Sequence, residues 1–160
     1  MQKLRKQLIE WLFEVSQKVY TKYFKHKQPW NISRAELLKY SEETFGKQLG
    51  DFLHKNGYEL IPKVERHDCY HVLCNYGTNV EDEIALQYLC YGNGKRSLYL
   101  FGVLVVGSAL LPEYYNYYYK SYAIGKSANP FHHHDYSKLL NISLKDLRAI
   151  TFSKNTIKTL

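Results

Sequence analysis

Apolar residues recur along this chain at three- and four-residue intervals, with no sustained apolar–polar alternation. That pattern predicts helices and no sheet. Residues 1–22 carry Leu4, Leu8, Trp11, Leu12, Val15 and Val19 at helical spacing, with Ile9 and Tyr20 flanking. Lys3, Arg5, Lys6, Lys18 and Lys22 occupy much of the remainder. This is an amphipathic helix that either packs on the fold or lies on a membrane surface or partner through its basic face. A polar linker at 25–29 follows, and Trp30 anchors the chain where it re-enters the fold. Ser33 and Glu36 are spaced as a capping box for a short helix over 34–40. Residues 44–56 put Phe45, Leu49, Phe52 and Leu53 on one face, and Gly57 is placed as the C-cap.

Residues 64–91 predict two helices joined by a short turn, the first ending at Gly77 and the second capped by Thr78 with Glu81. Gly92-Asn93-Gly94 is a firm break. Residues 97–119 form the longest apolar segment. Its uncharged portion, 98–111, is shorter than the roughly 20 residues needed to span a bilayer and is expected to be the central core helix. Pro112 should kink or restart it. Tyr114, Tyr115, Tyr118, Tyr119 and Tyr122 then make an aromatic stripe, a packing surface or a wall for a flat ring or apolar tail. A loop at 125–130 leads into His132-His133-His134, read as a surface loop. Ser143 with Asp146 caps the last helix, with Leu144, Leu147 and Ile150 turned inward, and 153–160 is a basic frayed tail. The expected architecture is all-α: one compact domain over 1–160, of about six to seven helices, with 1–30 as its N-terminal helix and linker.

The chain has 160 residues, of which 45% are apolar and 16% aromatic. It is long and apolar enough for a sizeable core, which excludes global disorder. Three cysteines, Cys69, Cys74 and Cys90, form no paired framework. This fits a reduced cytoplasmic protein, and residues 1–10 lack the pattern of a signal peptide. The net charge is +7, but the basic residues cluster toward the chain ends and do not interleave with the tyrosines. Nucleic acid is therefore not expected as a partner, whereas an acidic phospholipid surface is compatible with the charge. A place at the inner face of the cytoplasmic membrane stays open, as does a homo-oligomer.

The chemistry concentrates in His67, Asp68, His71 and Glu83. On a helix, His67 and His71 stand one turn apart on one face, with Asp68 at its edge. A short turn makes the next helix an antiparallel neighbour that can bring Glu83 to the pair. Two imidazoles and two carboxylates suit zinc best, with iron or manganese also compatible. Cys74, three residues beyond His71, offers a minority set of His67, His71 and Cys74 with Asp68 behind it. A capped, salt-bridged helix surface would give the same residues without any ion. No glycine-rich phosphate loop is present, a serine–histidine–acid triad cannot be argued from spacing, and HDxxH differs from the protease HExxH in its acidic residue.

His67-Asp68-x-x-His71, followed by eleven residues and Glu83, resembles the metal signature of the COQ4 family of ubiquinone-biosynthesis proteins. Phe45-Gly46, Leu49, Phe52-Leu53 and Asn56-Gly57 resemble its upstream helix and turn. Ala85-Leu86, Tyr122, Gly125, Ala128, Asp135-Tyr136, Leu144 and Leu147-Arg148 extend the likeness over residues 33–150. The connection before His67 is shorter than the family's usual excursion. The resemblance implies that His67, Asp68, His71 and Glu83 are both metal ligands and catalytic residues. It also implies a membrane-peripheral role in ubiquinone biosynthesis: oxidative decarboxylation of a prenylated 4-hydroxybenzoate-derived ring, lyase-type chemistry, and organisation of other quinone-biosynthesis proteins. The ligand would be that prenylated aromatic compound or another lipid. A non-catalytic lipid-binding scaffold with a structural metal, or another metal-dependent enzyme on a small aromatic or lipid substrate, remains an alternative.

Overall fold

The computed structural model describes residues 2–24 and 28–158. The 25–27 part of the expected linker, the side chains of Lys18, Tyr20 and Lys22, and the last two residues of the tail lie outside the described residues. The fold is all-α. Its helices are α1 (Gln2–Phe24), α2 (Arg34–Leu37), α3 (Phe45–Asn56), α4 (Glu65–Cys74), α5 (Val80–Gly92), α6 (Leu98–Leu110), α7 (Tyr115–Ser127), α8 (Leu144–Thr151) and α9 (Lys154–Ile157). Single 3-10 turns lie at Pro112–Tyr114 and Tyr136–Lys138. There is no sheet among the described residues, only an isolated bridge between Thr44 and Ser143.

Nine helices among the described residues correct the expected six to seven. Two breaks account for the excess. The apolar segment ends at Leu111, whose φ of −128° and ψ of 60° leave the helical region just before Pro112. In the expected frayed tail, Ser153 caps a further helical turn by accepting a hydrogen bond from the Thr156 amide.

The chain forms two compact units, one from Met1–Lys25 and Gly77–His133, the other from His26–Tyr76 and His134–Leu160. In the first, α5 and α7 pack backbone to backbone. A Cβ at Gly125 would fall on the Leu89 carbonyl oxygen, and one at Gly92 on the Tyr122 carbonyl oxygen. Only glycine allows that approach. Just past α5, buried Asn93 donates to the carbonyls of Gly125, Ala128 and Asn129, and accepts from the amides of Phe131 and His132. The end of α7 and the segment after it are thereby tied to one side chain. The expected loop at 125–130 accordingly begins later, since α7 runs on to Ser127.

α1 forms as expected, but its packed face is not the apolar stripe. Arg5 donates to the Leu110 carbonyl and pairs with Glu113 at 2.8 Å, Lys6 pairs with Glu81 at 2.7 Å, and Ile9 is fully buried. These three positions face inward together, so Leu4, Leu8, Trp11, Val15 and Val19 face outward, at 44–70% exposure. Likewise α6 is not a central core helix: Leu100, Val103, Leu104 and Gly107 are buried, while Leu98, Phe101, Val105 and Val106 are exposed. Among the described residues, no single helix is long and apolar enough to cross a membrane. α6 and the segment Pro112–Ser127 reach that length and composition only together, across a bend of 103°.

In the second unit, α3 buries Phe45, Leu49 and Leu53, and α4 buries Cys69, Tyr70, Val72 and Leu73. Each large apolar side chain contributes about 1.5–3 kcal/mol. Tyr136 joins the two clusters, its ring 5.7 Å from Phe45 and 5.8 Å from Tyr70. Both arms of the Ser33–Glu36 capping box are present, and Gly57 ends α3 with φ of 69°. Ser143 caps α8 as expected, but Ile150 is 64% exposed and only Leu147 of the three apolar residues is fully inward.

Candidate metal centre

α4 sets the geometry of the site. His67 and His71 are four residues apart on it, their rings 4.8 Å apart and nearly perpendicular. The two Nε2 atoms lie 3.1 Å from each other. His71 is buried at 2% exposure, while His67 and Asp68 are half-buried. Nδ1 of His71 lies 3.2 Å from the Tyr76 carbonyl oxygen. A carbonyl only accepts, so Nδ1 carries the proton and Nε2 presents its lone pair. A backbone carbonyl behind a histidine is how many metal ligands have their tautomer and orientation set. Phe52 of α3 stacks on the His71 ring at 5.4 Å and 19°, holding it from the side.

The helix that carries the pair is held at its C-terminal end. Asn75 caps α4 in the left-handed region with φ of 55°, a conformation asparagine tolerates better than most residues. Arg148 of α8 donates to the carbonyls of Val72 and Leu73, two of the last-turn acceptors that lack a helical partner. Burial holds the Arg148 guanidinium below its ordinary value. Trp30, expected as an anchor, donates its backbone N–H to buried Glu65 at the start of α4.

The second expected cap differs. α5 begins at Val80 with Asn79 in the capping position, and the Asn79 amide bonds Asp82. Thr78 is therefore not the cap, and Glu81 is drawn to Lys6 instead of closing a box. Burial is the largest single influence on the Glu81 carboxyl and raises it. The hydrogen bond and charge of Lys6, with hydrogen bonds from the Glu81 backbone and from Tyr114, together outweigh burial and leave the group below its usual range. Glu83, half-buried in the first turn of α5, is where the sequence places it. On α6, burial raises the Tyr99 hydroxyl above its ordinary range; a hydrogen bond with Ser16 opposes this and the Glu83 charge adds to it. Tyr99 had no spacing signal to single it out.

One ligand atom from each of His67, His71 and Glu83 lies within 4.8 Å of the others. It is the grouping of three or more histidine, cysteine or acidic side chains able to hold an ion that occurs among the described residues, and Asp68 and Cys74 stand outside it. A tetrahedral ion with nitrogen ligands at about 2.0–2.1 Å holds two of them about 3.3 Å apart. The observed 3.1 Å between the two Nε2 atoms fits that demand before any rearrangement. Two imidazoles and a carboxylate make a divalent-metal site.

Residues 60–154 match the model of the family described as "Coenzyme Q (ubiquinone) biosynthesis protein Coq4". The chain belongs to the Coq4 family. A ubiquinone biosynthesis protein COQ4, mitochondrial, of Laccaria bicolor is 31% identical over 100 residues, covering 51% of this chain and 34% of that protein. The chain thus spans about a third of the length of that curated relative. The crystal structure of a protein described as belonging to ubiquinone biosynthesis, from Nostoc punctiforme, superposes with a TM-score of 0.64 at 18% identity. That superposition covers 92% of this chain and 79% of the Nostoc chain, and shows the shared fold.

Proposed function

We propose that this Coq4-family chain binds a divalent ion, zinc by preference, through His67, His71 and Glu83, with Asp68, next to His67 on α4, as an acidic neighbour outside that triad. On this reading it acts in ubiquinone biosynthesis on a prenylated 4-hydroxybenzoate-derived ring, in the oxidative removal of the ring carboxylate. The observation that carries the proposal is the 3.1 Å separation of two Nε2 atoms with Glu83 within 4.8 Å. When bound, the ion supplies Lewis-acid stabilisation of charge on a substrate oxygen. Zinc has no redox chemistry, so the oxidant is dioxygen or a separate cofactor. The chain's own residues hold and orient. The Tyr76 carbonyl keeps the proton of His71 on Nδ1, and Phe52 keeps its ring from swinging. The buried surroundings of His71 limit water.

The test is elemental analysis of untagged protein beside His71→Ala and Glu83→Ala, followed by turnover of a prenylated 4-hydroxybenzoate. One ion per chain, lost in both variants together with carbon dioxide release, supports the proposal. An ion-free, folded parent protein would end it.

A second reading has its own observation. The outward apolar stripes of α1 and α6 favour a lipid-surface protein, peripheral to the membrane, in which the ion clamps helices and other quinone-biosynthesis proteins are recruited. Under that reading removal of the ion unfolds the protein and no turnover is found, while vesicles of acidic phospholipid bind it.

A further inference from the structure

Gln87 is buried at 4% exposure on α5, and its side-chain carbonyl oxygen is buried with no hydrogen-bond partner. Leaving such an acceptor unmet costs roughly 1–3 kcal/mol. Native proteins therefore keep few of them, and most have a purpose. Two other buried oxygens share that state, one on Glu81 and the hydroxyl of Tyr118. The Glu81 oxygen already faces the Lys6 ammonium at 2.7 Å. Tyr118, on α7, is stacked on Tyr88 at 5.3 Å within the aromatic cluster.

Gln87 is on the face of α5 that carries Glu83. It follows Glu83 by four residues, so the two side chains lie one above the other on the helix. Long helical side chains lean toward the helix N-terminus and cover the preceding turn, which directs the Gln87 amide toward the turn that carries Glu83. A leucine of similar volume would fill the same space without an unmet acceptor, and the neighbouring positions Ile84, Ala85, Leu86 and Leu89 are all apolar. A glutamine here carries a cost that a donor brought by a bound molecule relieves.

We propose that Gln87 is a ligand-binding residue that accepts a hydrogen bond from a hydroxyl of the molecule bound beside Glu83, and so selects hydroxylated rings over their ethers. The assignment rests on the proposed function for the ring, and it adds to it the discrimination between a free and a blocked phenol. It makes Gln87 a specificity determinant and not a metal ligand.

The experiment uses the 160-residue, metal-loaded chain and two probes, 4-hydroxybenzoate and 4-methoxybenzoate, titrated calorimetrically into the parent and Gln87→Met. The parent should prefer the phenol by about tenfold, the worth of one buried hydrogen bond. Gln87→Met should bind both probes alike, keep one ion per chain and, without probe, melt no lower than the parent. Should Gln87→Met fail to fold, Gln87→Leu makes the same comparison. A preference undiminished in the variant overturns the role of Gln87 while leaving the proposed function standing. Loss of the ion in the variant overturns it too, by making Gln87 part of the metal site. A metal-loaded parent that binds neither probe overturns the ring-binding reading itself, and the role of Gln87 with it.

Discussion

Histidines cluster twice in this chain, and the two clusters are built for different ends. His132, His133 and His134 are consecutive in a loop, where successive side chains diverge. His132 is committed to Asn93, its amide and ring both directed at the Asn93 oxygen, and the rings of His132 and His133 meet edge to face at 5.3 Å. His67 and His71 are fewer, yet their spacing of four on α4 turns both Nε2 atoms to one point. The denser cluster ties its loop to Asn93 through His132, and the sparser one presents ligand atoms. Spacing on a rigid element, with a carbonyl behind the ring, counts for more than the number of imidazoles.

Breaking each cluster separately tests this difference. The largest effect is expected from His71→Ala, which should remove the ion altogether, whereas His133→Ala should leave metal stoichiometry unchanged in elemental analysis. Equal loss from both would dissolve the distinction. Next comes Asn93→Ala, which strips the carbonyls of Gly125, Ala128 and Asn129 of a donor and two amides of their acceptor. Stability measured by urea unfolding should fall by roughly 3 kcal/mol. Arg148→Met should act more mildly. With the Val72 and Leu73 carbonyls unmet, the end of α4 loosens, and metal affinity should drop about tenfold in a competition titration.

The smallest effect concerns Asp135, which follows the triple histidine. The Ser137 hydroxyl, with help from Lys138, holds its carboxyl below the usual range. Its folded pKa is the lower one, so its stabilising contribution is full above the unfolded carboxyl range and is lost as pH falls through the folded value. Asp135 is exposed, so the contribution is small. Asp135→Asn should flatten that acid limb of the melting profile and leave neutral stability and metal content almost unchanged.

Helical periodicity and caps were legible residue by residue, because each is settled within four positions. The Ser33–Glu36 box, the left-handed Gly57 and the His67–His71 face all needed only neighbours in sequence. The HDxxH motif and the eleven-residue step to Glu83 were legible for the same reason, and they were enough to point to the Coq4 family. Which face of α1 is buried was not legible. Arg5 meets Glu113, 108 residues away, and Lys6 meets Glu81, 75 residues away, and with those pairs and buried Ile9 facing inward the apolar stripe faces outward. The Nδ1–H tautomer of His71, the hold of Arg148 on α4 and the unmet oxygen of Gln87 likewise depend on groups brought together by folding. Local pattern determines that a helix forms and which residues share a face. Only tertiary packing decides which face is covered and which polar group is left waiting for a partner.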